Sequence, residues 1–454
     1  EDWFPIGYNT MGSYPGKAFK GEFDGCNHTI SNLKVYSSEP NYATAGFFGS
    51  IETGSIKNLT LKNVDITSTH FAGGIVAYTS NDPTIENCHV IGGTITSTPE
   101  KKDDGTYDNG NHAGGIMGYA TAGSTINNCT VQDVTISAYR DLGGIVGTSN
   151  GIVTNNTTID VKVTQDLTNG YNSETPTTIG DIVGRGSASD KKYVEENGNK
   201  ALKSVAKIDE TKYQAIDAAV AAANEGETIE VIVAGDYTLP NLPLNVTIEG
   251  TVDGVVFNSE GAEYSSVASI PNGATFKNVT FNFGNVNYHG FQHAGTINMD
   301  GCTLNGKLFS YGDMNFTNCE FVHSGDYNMW VYGQGNVLYD GCTFTNNTKG
   351  KMLHLYCEDA NQTHKVTVKN CKFVNKGELS KSAINVKATS GSNALQYELH
   401  LEGNNTYEGS FPTAVGEQDN SDHTWILSPL AQVDDRSVSP DNIKVFENDV
   451  LIYP

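Results

Sequence analysis

The chain reads as an all-β protein: a right-handed parallel β-helix, or solenoid, built as two β-helical domains with a short capping α-helix between them. Two recurring phrases and one isolated helical segment predict this. In the second half the phrase is a short apolar strand, an Asn or Gly, then Cys and another apolar residue. It occurs at 297–304 (INMDGCTL), 314–321 (MNFTNCEF), 337–344 (VLYDGCTF) and 366–373 (VTVKNCKF). Its cysteines, Cys302, Cys319, Cys342 and Cys371, fall roughly 17 to 29 residues apart, a period of stacked supersecondary units rather than of one globular core.

Each element follows from local pattern. Ile297, Met299, Cys302 and Leu304 alternate with Asn298 and Asp300, as Met314, Phe316, Cys319 and Phe321 do with Asn315 and Thr317. Period two means strand. The Asn or Gly before each Cys marks a bend at which positive φ is cheap. One coil cannot bury its own inner face, so coils stack, and like residues fall in columns about 4.8 Å apart. Parallel crossovers are right-handed in nearly all known cases.

The first half repeats a glycine phrase: 45–49 (AGFFG), 72–77 (AGGIVA), 113–118 (AGGIMG), 142–147 (LGGIVG) and 179–184 (IGDIVG). Four of them lead into second strands at 56–61, 85–90, 126–131 and 153–159. Ile66, Ile95, Ile136 and Val163 then open the third side. Paired glycines suit tight corners and close backbone approach. With the opening WFPIG (3–7) and 19–33 (FKGEFDGCNHTISNL), these phrases resemble the GLUG repeats of bacterial surface and secreted proteins over about residues 1–185. The resemblance implies an adhesin-like β-helix outside the cell and no chemistry.

Residues 186–210 are polar and read as a linker. Tyr213, Ile216, Ala219, Val220 and Ala223 then recur at helical spacing up to Gly226. The segment 213–237 (YQAIDAAVAAANEGETIEVIVAGDY) resembles the capping helix and first strand of pectin-lyase-like β-helices, a resemblance assigned to residues 211–410. A cap is expected on physical grounds, because an open coil end exposes apolar core and unpaired backbone. From about Phe411 the phrase is lost, and 411–454 reads as strands that close or cover the last coil.

Composition narrows function. With 49 Gly, 22 Tyr, 18 Phe and 18% charged residues in 454, the profile suits an all-β solenoid. A net charge of −24 argues against nucleic acid, and against a polyanionic polysaccharide without cations. Arginine is confined to Arg140, Arg185 and Arg436, so bidentate recognition of anions is poorly supplied. Of eight cysteines, Cys88, Cys129, Cys302, Cys319, Cys342 and Cys371 occupy matching inward positions and read as free thiols in a small core slot. No zinc-type spacing, no membrane-spanning apolar run and no signal peptide is found; with the chain starting at Glu1, the expectation is a secreted protein whose leader is either removed or trimmed away.

The sharpest functional signal is a pair of aromatic columns. Aligned on the glycine turns, the strands read Phe291-Gln-His293, Phe309-Ser-Tyr311, Trp330-Val-Tyr332, His354-Leu-Tyr356 and Asn385-Val-Lys387. Their partners, such as Leu308, Met329 and Leu353, are aliphatic and claim the core, so Phe291, His293, Phe309, Tyr311, Trp330, Tyr332, His354 and Tyr356 are expected to face outward. Flat rings with polar tips suit the faces of sugars, and contiguous exposed apolar surface marks interaction sites. The competing reading is that the rings only stack on one another or lie under a loop. His289, His293 and His354 are the candidate acid–base groups. The loop Asp103-Asp104-Gly105 with Asp108 is a Ca²⁺ candidate by its oxygen ligands, against a solvated turn. No other cofactor is implied.

Enzymes of the pectin-lyase-like fold set a different expectation. Lyases of that resemblance need an Arg or Lys base over carboxylates. Strand lysines exist (Lys307, Lys365, Lys369, Lys387), but strand arginines and clustered aspartates do not. Hydrolases need paired carboxylates, yet Thr317 separates Asp300 from Asp340 on neighbouring coils. The reading is therefore a non-catalytic, adhesin-like protein of the cell surface or secreted space that binds a glycan or host-cell ligand. A polysaccharide lyase or glycoside hydrolase, and a structural stalk, are the alternatives.

Overall fold

The computed structural model describes residues 2–8, 17–37, 44–99, 105, 111–166, 178–186, 197–259, 273–291, 295–323, 327–332, 335–356, 363–379, 381–387, 395–418, 423–434 and 440–453. The described chain is almost entirely β, with parallel strands in stacked sheets. It divides into two compact units, Glu1–Lys203 and Ser204–Pro454.

In the first unit the glycine phrases stack in register. Thr44–Ala45, Phe71–Gly73, His112–Gly114, Asp141–Gly143 and Ile179–Gly180 form one parallel sheet, with Ala45, Ala72, Ala113, Leu142 and Ile179 in one column. The paired glycines are there because nothing larger fits: a Cβ on Gly115 would meet the Gly144 carbonyl oxygen at 2.3 Å. A larger sheet carries the remaining strands, including the column Ile56, Ile85, Ile126 and Val153, fully buried throughout.

From Thr275 onward the second unit visits three largely parallel sheets in rotation. Ile297–Asp300, Thr303–Gly306 and Leu308–Ser310 enter the first, second and third sheets; Met314–Thr317, Glu320–His323 and Tyr327–Val331 follow one rung later. Two more rungs repeat the cycle with Gly335–Asp340, Thr343–Asn346 and Lys351–Tyr356, then His364–Lys369, Lys372–Asn375 and Ile384–Lys387. Like residues pile up inside. Phe321, Phe344 and Phe373 stack at centroid spacings of 4.5 and 4.9 Å with nearly parallel planes. The bend positions Asn278, Gly301, Asn318, Gly341, Asn370 and Gly403 all take φ between 52 and 68°, the region that Gly and Asn tolerate best.

Four of these bends send a thiol inward. Cys302, Cys319, Cys342 and Cys371 are buried and free, and each Sγ donates to the carbonyl of the rung before it: Phe276, Met299, Phe316 and Tyr339, at 3.4 to 3.5 Å. The neighbouring thiols and burial push Cys319 and Cys342 up to about 12.

The helix is short, Ile216–Ala222, and burial rather than capping holds it: Ile216, Ala219 and Val220 enter the core, while Ala215 supplies no side-chain cap. Tyr213, expected on the helix, belongs instead to strand Thr211–Tyr213, antiparallel to Ala206–Ile208. Strands Lys200–Leu202 and Ala206–Ile208 stand inside the segment expected as a linker, one in each unit. Past Phe411 the rungs continue: Ala431–Asp434 pairs parallel with Ile384–Lys387, and Ile443–Glu447 with Tyr397–Glu402. Antiparallel strands Trp425–Ile426 and Val450–Tyr453 lie next to them. Among the described residues no helix is long and apolar enough to cross a membrane.

Candidate functional site

The third sheet of the second unit sets its outward residues in two columns. One runs Phe309, Trp330, His354, Asn385 and Gln432; in the other, Tyr356, Lys387 and Asp434 are direct partners. Tyr332 lies within 5.1 Å of the Phe309 ring and 6.2 Å of the Tyr311 ring. Between the columns Ser310, Val331, Leu355, Val386 and Val433 point inward by strand alternation.

Phe291 is not part of this face. Gly290, not Phe291, pairs with Phe309, and Phe291 is buried against Phe276, Phe281 and Phe283. A slip of one residue moves a side chain to the opposite face of a strand. His293, Asp103, Asp104 and Asp108 lie outside the described residues. His289 is buried away from the columns, hydrogen-bonded to Ser259 and edge-on to Phe283. Among the described residues no group of three His, Cys, Asp or Glu stands together as a metal site would require.

The aromatic residues form a packed cluster rather than a row of separate platforms. Trp330 touches the rings of Tyr288, Phe309, Tyr327, Tyr332, His354 and Tyr356 at centroid distances of 4.9 to 6.4 Å. Phe309 and His354 are consequently buried, while Trp330, Tyr311, Tyr332 and Tyr356 are half-buried. The indole N–H of Trp330 donates to the carbonyl of Tyr356 at 2.9 Å, which fixes the ring.

Beside this cluster opens a cleft of about 260 Å³, lined by Trp330, Lys351, His354, Tyr356, Lys381, Asn385, Lys387 and Asp434. Its polar floor is organised by Asp434. The carboxylate accepts from Lys381 Nζ at 3.0 Å and Asn385 Nδ2 at 2.6 Å on one oxygen, and from Thr424 at 2.9 Å and Gln432 at 2.7 Å on the other. Burial alone would raise its pKa; Lys381 and these donors outweigh burial and hold it below the usual carboxylate value. The ammonium of Lys387 lies 5.1 Å from the Tyr356 ring centre. Burial, reinforced by Lys351, drives His354 down to about 3, so its imidazole is neutral at physiological pH. His354 and Asn385 are direct partners in the sheet, and the Asn385 side chain, facing the imidazole, works against burial by favouring its protonated form.

A larger, open groove of about 620 Å³ lies elsewhere, between residues 250–255 and 278–280 with Gly301 and Thr303. Glycine, threonine and valine make up most of its wall, and Asp253 is its one charged lining residue, so it offers little for recognition beyond shape. The cleft at Trp330 has the richer chemistry.

Sequence reasoning overlooked Lys351, Lys381 and Asp434. Asp434 was legible, because Gln432 and Asp434 continue the alternation of Asn385 and Lys387. It also overlooked a buried polar group in the first unit. There Thr148 Oγ1 lies 2.8 Å from His112 Nδ1, which stands 3.1 Å from the Asp141 carboxylate, with Arg185 at 3.6 Å. Phe71 stacks on His112 next to Tyr78 and Tyr119. The signal was the residue preceding each glycine pair, where Phe71, His112 and Asp141 share a column.

No family model matches the chain, and no solved structure matches it. Over 81 residues it is 42% identical to Halomucin of Haloquadratum walsbyi; that stretch covers 18% of this chain and 1% of the relative.

Proposed function

We propose that the protein is a non-catalytic, extracellular, adhesin-like binder, each unit a right-handed parallel β-helix, that holds a glycan at the cleft beside Trp330. The rotation of strands through three sheets from Thr275 onward and the stacked parallel strands of the first unit support the helix, and its handedness follows from the general preference of parallel crossovers. The stacked glycine phrases support the GLUG reading of the first unit. The rotating coils and the helix at their start support the pectin-lyase-like reading of the second. The acidic composition and the short likeness to Halomucin, a mucin by name, support a place outside the cell.

One observation carries the binding reading. A half-buried indole and phenol border a cleft lined with polar side chains, among them Lys381, Asn385 and Asp434. Rings against a sugar face would each add on the order of 1 kcal/mol, by analogy with aromatic pairs.

The test is retention of the intact protein on a glycan array, wild type against Tyr356→Ala. Tyr356 is half-buried at the end of its strand and its carbonyl remains to accept from Trp330, so the fold should survive. Loss of retention with an unchanged melting temperature supports the site. Equal retention removes it.

A further inference from the structure

We propose that Asn27, Asn278 and Asn404 are sites of N-linked glycosylation, each side-chain amide carrying a covalently attached sugar chain. This rests on the extracellular part of the reading above and is independent of the Trp330 cleft. Each residue opens an Asn-x-Thr pattern, Asn27-His-Thr29, Asn278-Val-Thr280 and Asn404-Asn-Thr406, the acceptor signature of that linkage. The pattern alone is weak, because a bend Asn, an inward residue and a strand Thr produce it by chance. The bend does not demand it, however: the same corner holds Gly301, and Asn318 followed at the second position by Glu320.

The structure sorts the copies of the pattern. Asn156 and Asn346 are fully buried, out of reach of any transferase. At Asn58, Asn128, Asn155, Asn245 and Asn315 the amide already donates to a neighbouring side chain, at 2.7 to 3.4 Å. Asn361 lies outside the described residues. Asn27, Asn278 and Asn404 are exposed, and their side-chain amides donate to no described residue. Thr29, Thr280 and Thr406 reach the surface beside them.

Placement suits a bulky substituent. Asn278 forms, and Asn404 adjoins, the corner between the first and second sheets of the second unit, five rungs apart, or about 24 Å at the spacing of neighbouring strands. Gly301 follows Asn278 on that corner and carries no side chain to overhang it. The Trp330 cleft opens on the third sheet, so sugars on this corner leave it uncovered. In the first unit Asn27 has φ 61° within Phe19–Ser31, which pairs with Phe48–Ser68 alone among the described strands.

The donor is a lipid-linked sugar phosphate or pyrophosphate. The asparagine Nδ2 attacks C1 of the sugar, and the C1–O bond breaks as the N–C1 bond forms. One amide proton passes to a base, and the lipid phosphate or pyrophosphate departs with the bonding electron pair, without oxidation or reduction.

The test is glycopeptide mass spectrometry of the whole protein from the cells that make it, with cells and medium analysed separately. Thr29→Val, Thr280→Val and Thr406→Val are run alongside. Each removes the acceptor pattern and keeps the asparagine, and Val suits a strand, so the circular dichroism spectrum should not change. The proposal expects sugar mass on Asn27, Asn278 and Asn404, none on Asn156 or Asn346, and loss at each site with its own Thr→Val. Bare asparagines in protein found outside the cell overturn the proposal and leave the location standing. Sugar on Asn156 or Asn346 overturns exposure as the selector. Sugar that survives Thr→Val overturns the assignment to this linkage. Bare protein found only inside the cell overturns the extracellular reading together with the proposal.

Discussion

Asn385 donates its side-chain amide to Asp434 at 2.6 Å, and that bond fixes the orientation of a fully buried amide. The carboxylate comes from the next rung of the same sheet, so stacking alone brings the two together.

Removing the Asp434 charge should therefore act on both stability and binding. Asp434→Asn loses charge-assisted bonds to Lys381, Asn385, Thr424 and Gln432, and a loss of about 2–3 kcal/mol is expected in urea unfolding. With the Asn385 amide free to turn, affinity for the glycan selected on the array should fall at least tenfold.

His354 predicts a pH dependence of definite sign. Its folded value is depressed to about 3 from an ordinary 6.5, burial being the main cause and Lys351 the next. Between these values the unfolded chain binds a proton that the folded chain refuses. The contribution is fully present above pH 6.5 and is lost as pH falls toward 3, by about 2 kcal/mol between pH 6.5 and 5. His354→Gln should remove this part of the slope in urea midpoints measured across that window; an unchanged slope would place the titration elsewhere.

The ring stack offers a packing test. Phe344 is fully buried between Phe321 and Phe373, and Phe344→Ala should cost about 3–5 kcal/mol. Tyr407 pairs in register with Phe373 but is 50% exposed. Tyr407→Ala should stay within about 0.5 kcal/mol. Comparable losses from both would contradict the stacking.

Bends discriminate by backbone conformation. Asn318 sits at φ 53°, so Asn318→Gly should be tolerated, while Asn318→Val should cost roughly 1–2 kcal/mol, measured by thermal unfolding. Its neighbour in the column, Gly341, has φ 68°, and an added Cβ would lie 2.7 Å from Asn318 Oδ1. Gly341→Ala should therefore destabilise by a similar amount.

Much of this architecture was legible because stacking repeats one local rule. The Asn or Gly before each cysteine announced a bend, and the bend set which residues alternate inward; Met299 over Phe316 and Phe316 over Tyr339 follow directly. Alternation holds only within a strand, however. Across the loop before Gly290 it gives no parity, and Phe291 fell to the core. A Cβ on Gly290 would meet the Phe309 carbonyl at 2.1 Å, so the glycine itself marked the outer position. Lys381 stands before its strand, where periodicity is silent. Asp434 lies in a stretch without the cysteine bend, so its rung went unrecognised. Burial of Phe309 and His354 depends on rings from four successive rungs, a three-dimensional sum that no single phrase contains.

The most direct test of the account is a crystal structure of the protein with the glycan that the array retains. The account predicts a sugar ring against Trp330 and Tyr356, within the cleft that Asp434 and Lys381 also line. Sugar density in the groove beside Asp253, with the Trp330 cleft empty, would contradict it.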